Sequence, residues 1–317
     1  MSRPITGHSS TETPASPPST ETPASPLAHY LEELYASFDY RKHRLNDPSH
    51  LLDNYRNRDP RDLEIVGLIA ASFSYGQVAT IIKNVEAILE WMGPRPFRFI
   101  TSFRPRKGDT FLTEFRHRWN DGRDLAYLLL SLKDVYRDHG DLYHIVAAGH
   151  RPGSPDLCPG LDNLTSTLLQ YDSFKTHGNE DSDRPRSLKF LLAGPEEGST
   201  CKRLFMYARW MVRRATARDG IDFGVWFRLK PADLIFPLDT HTSRIVQYVG
   251  LSGERRTVGL KMAREVTSRL KEFDPEDPVK FDFALAHTGI SQNCRHRRIP
   301  VICRSCPLDP VCLLEAE

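Results

Sequence analysis

Residues 194–214 read G-P-E-E-G-S-T-C-K-R-L-F-M-Y-A-R-W-M-V-R-R, a turn followed by a helical pattern. Gly194-Pro195-Glu196-Glu197-Gly198 is turn chemistry placed between a helical run over 188–193 and a second over 201–214, which predicts a helical hairpin. In the second helix Leu204, Tyr207, Ala208, Met211 and Val212 form the apolar stripe. Lys202, Arg209 and Arg213 fall on another face, where a basic strip for phosphates is expected. The turn glycines, Gly194 and Gly198, expose backbone N–H groups near the start of that helix, a place suited to a phosphate. Lys202 lies in the first turn beside Arg203. The helix dipole and the neighbouring cation both disfavour an ammonium there, so a lowered pKa and a better amine nucleophile are expected.

Downstream, Phe236-Pro237-Leu238-Asp239-Thr240-His241-Thr242 leads into a helical run over 240–250, with Asp239 at the N-cap. A carboxylate fixed at a helix start is also placed to stabilise a sugar whose C1′ becomes cationic as a base departs. Helical runs over 257–273 and 278–290 follow. Upstream, Asp59-Pro60-Arg61-Asp62 opens a buried helix that runs to an elbow, Ser72-Phe73-Ser74-Tyr75-Gly76-Gln77. Beyond it Ile81, Val85, Ile88, Leu89 and Met92 repeat at helical period. Runs over 111–119, 124–139 and 161–171 are also helical, and 151–158 and 176–185 read as loops. No stretch alternates with period two. The expected class is all-α.

The 317 residues carry 43 Lys+Arg against 41 Asp+Glu, a net charge of +2, which leaves overall charge silent about partners. No apolar run approaches the length of a membrane span. Residues 1–26 are rich in Ser, Thr, Pro and Glu, with S-T-E-T-P-A-S-P at Ser10 to Pro17 and again at Ser19 to Pro26. They offer nothing apolar to offset chain entropy, so a disordered tail with no secretory character is expected, and with it a cytoplasmic location.

Four of the six cysteines, Cys294, Cys303, Cys306 and Cys312, follow C-x8-C-x2-C-x5-C. Such crowding reads as a metal site. Four thiolates suit zinc or an iron-sulfur cluster, and the presence of only one C-x2-C pair favours iron-sulfur, a 4Fe-4S cluster, with zinc as the alternative. The same loop holds Arg295, His296, Arg297, Arg298 and Arg304 without an intervening acid, a positive edge suited to phosphates.

Together the glycine turn with Lys202, the P-L-D-T-H-T-S-R-I run from Pro237 to Ile245 and the terminal cysteines resemble the helix-hairpin-helix DNA glycosylase superfamily, in particular its endonuclease III-like members with an iron-sulfur loop. There a V-D-T-H-x-x-R-V segment carries the catalytic Asp, and the cluster loop is C-x6-C-x2-C-x5-C, two residues shorter in its first gap. Lys202 stands 37 residues before Asp239, a wide spacing similar to the archaeal 8-oxoguanine glycosylases, which lack the cysteines. The C-K-R-L, R-W-M-V-R and P-L-D-T-H-T segments also resemble an uncharacterised bacterial and archaeal family of conserved hypothetical proteins.

The resemblance implies base-excision repair on double-stranded DNA by a monomer. Lys202 would form a Schiff base with C1′, and Asp239 would assist. Gln77 would enter the stack where a damaged base, oxidised bases among the candidates, is flipped out. Arg203, Arg209, Arg213, Arg295, Arg297 and Arg298 would contact phosphates. It further implies two lobes, 61–214 and a cluster-bearing lobe made from 27–60 and 215–317. A monofunctional glycosylase using Asp239 alone and a non-catalytic nucleic-acid-binding iron-sulfur protein are the rival readings.

Overall fold

The computed structural model describes residues 25–106, 108–177, 185–255, 257–291 and 294–315. Nearly all of the tail expected over 1–26 lies outside them. The described chain is mostly helical, as the sequence pattern predicts. Among the described residues no helix is long and apolar enough to cross a membrane.

Two helices form the centre. The first, Pro60–Ser72, starts where Asp59 accepts a hydrogen bond from Arg61 N at 3.0 Å and Pro60 presets the first turn, and it is buried from Asp62 to Ser72. The second, Lys202–Val212, packs directly on it. The close approach is made at Gly67, where a Cβ would stand 2.9 Å from Met211 Cε and 3.1 Å from the Tyr207 ring. A larger residue there would force the two axes apart.

Around this pair one contiguous apolar cluster runs from Leu31 to Leu308, so the core crosses the expected lobe boundary at 214. Glu64 ties the two parts together. Its carboxyl accepts from Trp226 Nε1 at 2.7 Å, Tyr136 Oη and Tyr143 N at 3.0 Å each, and Leu142 N at 3.2 Å. Burial pushes it up to about 7, opposed by those same donors.

Two sequence expectations change. The helical run over 111–119 is a short helix, Thr110–Glu114, followed by a hairpin of two-residue strands, Arg116–His117 and Asn120–Asp121, paired antiparallel. Local propensity loses here to hydrogen bonds, two of them long-range and one local. Tyr75 Oη donates to His117 O at 2.9 Å, Asn84 Nδ2 donates to Arg116 O at 3.0 Å, and Asn120 Nδ2 donates to Asp124 Oδ2 at 2.9 Å. Arg118, in the turn, takes a left-handed φ of 56° that no helix accommodates. A capping box between Asp121 and Asp124 then starts the 18-residue helix Gly122–His139. The last predicted run, 278–290, divides into a 3₁₀ turn, Pro278–Phe281, and the helix Asp282–Ser291.

Candidate active site

Lys202 and Asp239, far apart in sequence, meet at the starts of two helices. Asp239 caps Thr240–Tyr248, accepting from Thr242 N at 2.7 Å through Oδ1, which leaves Oδ2 to face Lys202 Nζ at 2.9 Å. The two side chains are 33% and 36% exposed, so the pair is reachable from solvent. Burial would raise the Asp239 carboxyl, but Lys202 and the Thr242 N–H outweigh it and hold it at about 2. For Lys202 the expectation is reversed. Burial does lower the ammonium, yet the carboxylates of Asp239, Asp282 and Asp47 outweigh burial and raise it above an ordinary lysine. Along the chain Lys202 has only Arg203 and the helix dipole beside it, and the carboxylates are brought in by the fold.

Three groups around the pair had no motif to announce them. Asp282, buried at the start of Asp282–Ser291, is pushed up to about 6 by burial against the pull of Arg209 and Lys202. Asp47 accepts from Ser49 N at 2.9 Å and lies 3.5 Å from His287 Nε2, and these contacts overcome burial to hold it at about 2. His287 stacks on Phe283 at 4.1 Å and approaches His43 at 5.5 Å. In sequence Asp47-Pro48 reads only as a cap and His287 as one turn of a helix.

A cavity of about 210 Å³ opens beside Lys202, lined among others by Leu68, Ser72, Phe190, Leu192, Thr200 and Arg203. The hairpin turn lies between its lining segments 190–193 and 199–204 without lining it. Gly198 is exposed and takes the left-handed φ of 72° that closes the 3₁₀ turn Pro195–Glu197. Gly194 is buried, its Cα facing Thr165 Oγ1 and Asp162 Oδ1, so it presents no phosphate-binding surface. Cys201 precedes Lys202 in a left-handed conformation, φ 45°, and caps no backbone group with its side chain. Gln77 stands exposed at the start of Val78–Met92, its side chain making no cap.

The expected basic strip is corrected at three arginines. Arg209 and Arg213 are 2% and 1% exposed. Arg213 reaches Asp219 at 2.6 Å, Asp277 at 2.7 Å and Asp222 at 2.9 Å. Arg209 reaches Asp282 at 2.9 Å and Asp222 at 3.2 Å. A buried guanidinium needs carboxylates, and these four aspartates, scattered over 219–282, supply them. Arg203 turns inward as well, donating to the backbone carbonyls of Ser72 and Phe190, and burial lowers it to about 10.

At the C-terminal end Arg295, Arg297 and Arg304 are exposed. Arg298 instead ties the loop to itself through Asp309 at 2.7 Å and the carbonyls of Leu314 and Cys312 at 3.2 and 3.4 Å. Cys294, Cys303, Cys306 and Cys312 are free, partly buried thiols. Burial raises the Cys306 thiol, and the other three lie close enough to raise it further. Four cysteine sulfurs are donors whose chemistry suits an iron-sulfur cluster or zinc. Among the described residues no three His, Cys, Asp or Glu side chains are placed to hold a single metal ion. The loop approaches the helix Thr240–Tyr248, the His296 ring centroid lying 5.9 Å from those of both His241 and Tyr248.

No curated protein and no solved structure matches the chain. Residues 47–291, a span that holds Asp47, Lys202, Asp239, Asp282 and His287, match one family throughout, and the chain belongs to that family, described as "Protein of unknown function (DUF2400)".

Proposed function

We propose that this chain is a DNA N-glycosylase with an attached β-lyase step. The observation that carries the reading is the 2.9 Å contact between Lys202 Nζ and Asp239 Oδ2 beside a cavity, an amine and a carboxylate at the starts of two helices. As the N-glycosidic bond breaks, its electron pair leaves with the base, which takes up a proton. Asp239 stabilises the cationic sugar, and Lys202 Nζ, having given up a proton, forms the new bond to C1′. Ring opening, with a proton delivered to O4′, leaves the Schiff base. Loss of a C2′ proton from it then expels the 3′-phosphate.

A monofunctional glycosylase is the second reading, favoured by the raised pKa of Lys202. There the ammonium stays charged and holds Asp239, which orients a water. The two readings separate in a borohydride-trapping experiment on duplexes carrying 8-oxoguanine, oxidised pyrimidines, uracil or an abasic site. The lyase reading expects a covalent adduct with the wild type and none with Lys202→Ala. Base release without adduct in both proteins supports the monofunctional enzyme, and binding without base loss supports the non-catalytic rival.

The trapping rate carries a pH signature. Because Lys202 titrates above an ordinary lysine, its amine fraction is small at neutral pH and rises about tenfold per pH unit. Adduct formation on an abasic duplex is expected to climb from pH 6 to pH 9. A flat profile would mean that the amine is not the limiting species.

Cys294, Cys303, Cys306 and Cys312 would hold a 4Fe-4S cluster, whose part is to order a loop poor in apolar residues. Anaerobically purified protein is expected to contain iron and absorb in the visible. Cys303→Ser and Cys312→Ser are expected to lose both. Zinc with no visible absorbance would overturn the cluster assignment and leave the site itself standing.

A further inference from the structure

The hairpin that replaced the predicted helix carries a feature that the Lys202 chemistry does not use. Trp119 at its tip is 55% exposed and stacks on Tyr75 of the elbow, with centroids 5.3 Å apart and planes at 27°. Phe190, 36% exposed, sets its edge against both rings at 5.0 Å. Arg118 lies 4.9 Å from the Trp119 ring, and Arg203 lies 4.2 Å from Phe190 and 5.2 Å from Tyr75. Neither guanidinium meets a carboxylate among the described residues. The rings are held rigidly, since Tyr75 Oη donates to His117 O and a His117 ring nitrogen lies 3.1 Å from Tyr75 O.

Three aromatic rings gathered at one accessible place and flanked by two guanidinium groups form a surface suited to a partner. Here it is continuous with two features of the candidate site: Gln77 is two residues beyond Tyr75, and Phe190 and Arg203 line the Lys202 cavity. A partner of acidic peptide character would satisfy the cations but not three coplanar or edge-packed rings. A flat π-system joined to a phosphate satisfies both.

Resting on the glycosylase reading for the identity of the strand, we infer that Trp119, Tyr75 and Phe190 form a stacking platform for an unpaired nucleobase next to the target nucleotide. Arg118 covers the Trp119 ring in the free protein and moves to the flanking phosphate when the base stacks.

The test is anisotropy titration of the full chain against a duplex with one bulged adenine and the same duplex with a bulged abasic nucleotide. The wild type is expected to prefer the adenine bulge by roughly five- to 150-fold, the worth of stacking one base on an aromatic ring. Trp119→Ala should abolish that preference, Trp119→Phe should retain most of it, and Arg118→Gln should reduce the salt slope by about 0.9 on the adenine-bulged duplex and leave it unchanged on the abasic one. Since Trp119 is exposed, these variants test contact and not folding. Equal binding of the two bulges by a wild type that still forms the Lys202 adduct overturns the platform alone. Adenosine monophosphate competing as well as the bulged duplex would also overturn it, by assigning the rings to a free nucleotide. A wild type that binds no duplex overturns both the platform and the glycosylase reading.

Discussion

Asp239→Asn is expected to slow base release by about 10²- to 10³-fold, the usual loss when one fixed group that stabilises transition-state charge is removed. The substitution isolates the charge. Asparagine is as good an N-cap as aspartate, so the hydrogen bond to Thr242 N at 2.7 Å and the start of Thr240–Tyr248 survive. What goes is the anion 2.9 Å from Lys202 Nζ. The same change removes the strongest of the groups raising the lysine, so its pKa should fall and adduct formation on a pre-formed abasic site should be much less impaired than base release. Single-turnover rates on a lesion duplex and on an abasic duplex, measured with the same preparation, separate the two effects. Equal loss on both substrates would place Asp239 in the elimination and not in the departure of the base.

Arg213→Ala is expected to lower stability by about 3–5 kcal/mol, because it strands the buried Asp219 and leaves the buried Asp222 to Arg209 alone. Asp219 and Asp222 are almost fully buried and both bond to the same Arg213 Nη1. Urea unfolding followed by helical circular dichroism measures the loss. A phosphate-contacting arginine would behave oppositely, with stability nearly unchanged and the salt dependence of DNA affinity reduced by about one counterion. The network also has an acid limit. Burial raises Asp219, but Arg213 outweighs it and holds the carboxyl below its ordinary value. The stability Asp219 contributes is therefore present above the ordinary carboxylate range and is lost as pH falls through its lowered pKa. Arg209 links this network to the candidate site through Asp282, which lies in the field of both Lys202 and Asp239.

That Lys202 and Asp239 each mark a helix start is legible in the sequence from local chemistry, their joint role is implied only by the resemblance, and their 2.9 Å contact is tertiary. Their protonation is not legible there. Lys202 was expected below its ordinary value from two neighbours in sequence, and it lies above because Asp47, Asp239 and Asp282 arrive from distant segments. The basic strip failed for a related reason. Periodicity places Lys202, Arg209 and Arg213 on one side of a helix, but whether that side meets water depends on what the rest of the chain packs there, and here four aspartates meet it.

The helical class, the elbow before Gln77, the hairpin turn, the cap at Asp239 and the close spacing of four cysteines are legible in the sequence, all features whose causes lie within a few residues. Only the tertiary structure decided that 116–121 is a hairpin, that Trp119 stands exposed on Tyr75, that Arg209 and Arg213 are internal, and that Asp47 and His287 join the site. The dividing line is range. Turn and capping energies are set by neighbouring residues in the chain, whereas burial, ion pairing and the field at a titrating group are set by neighbours in space.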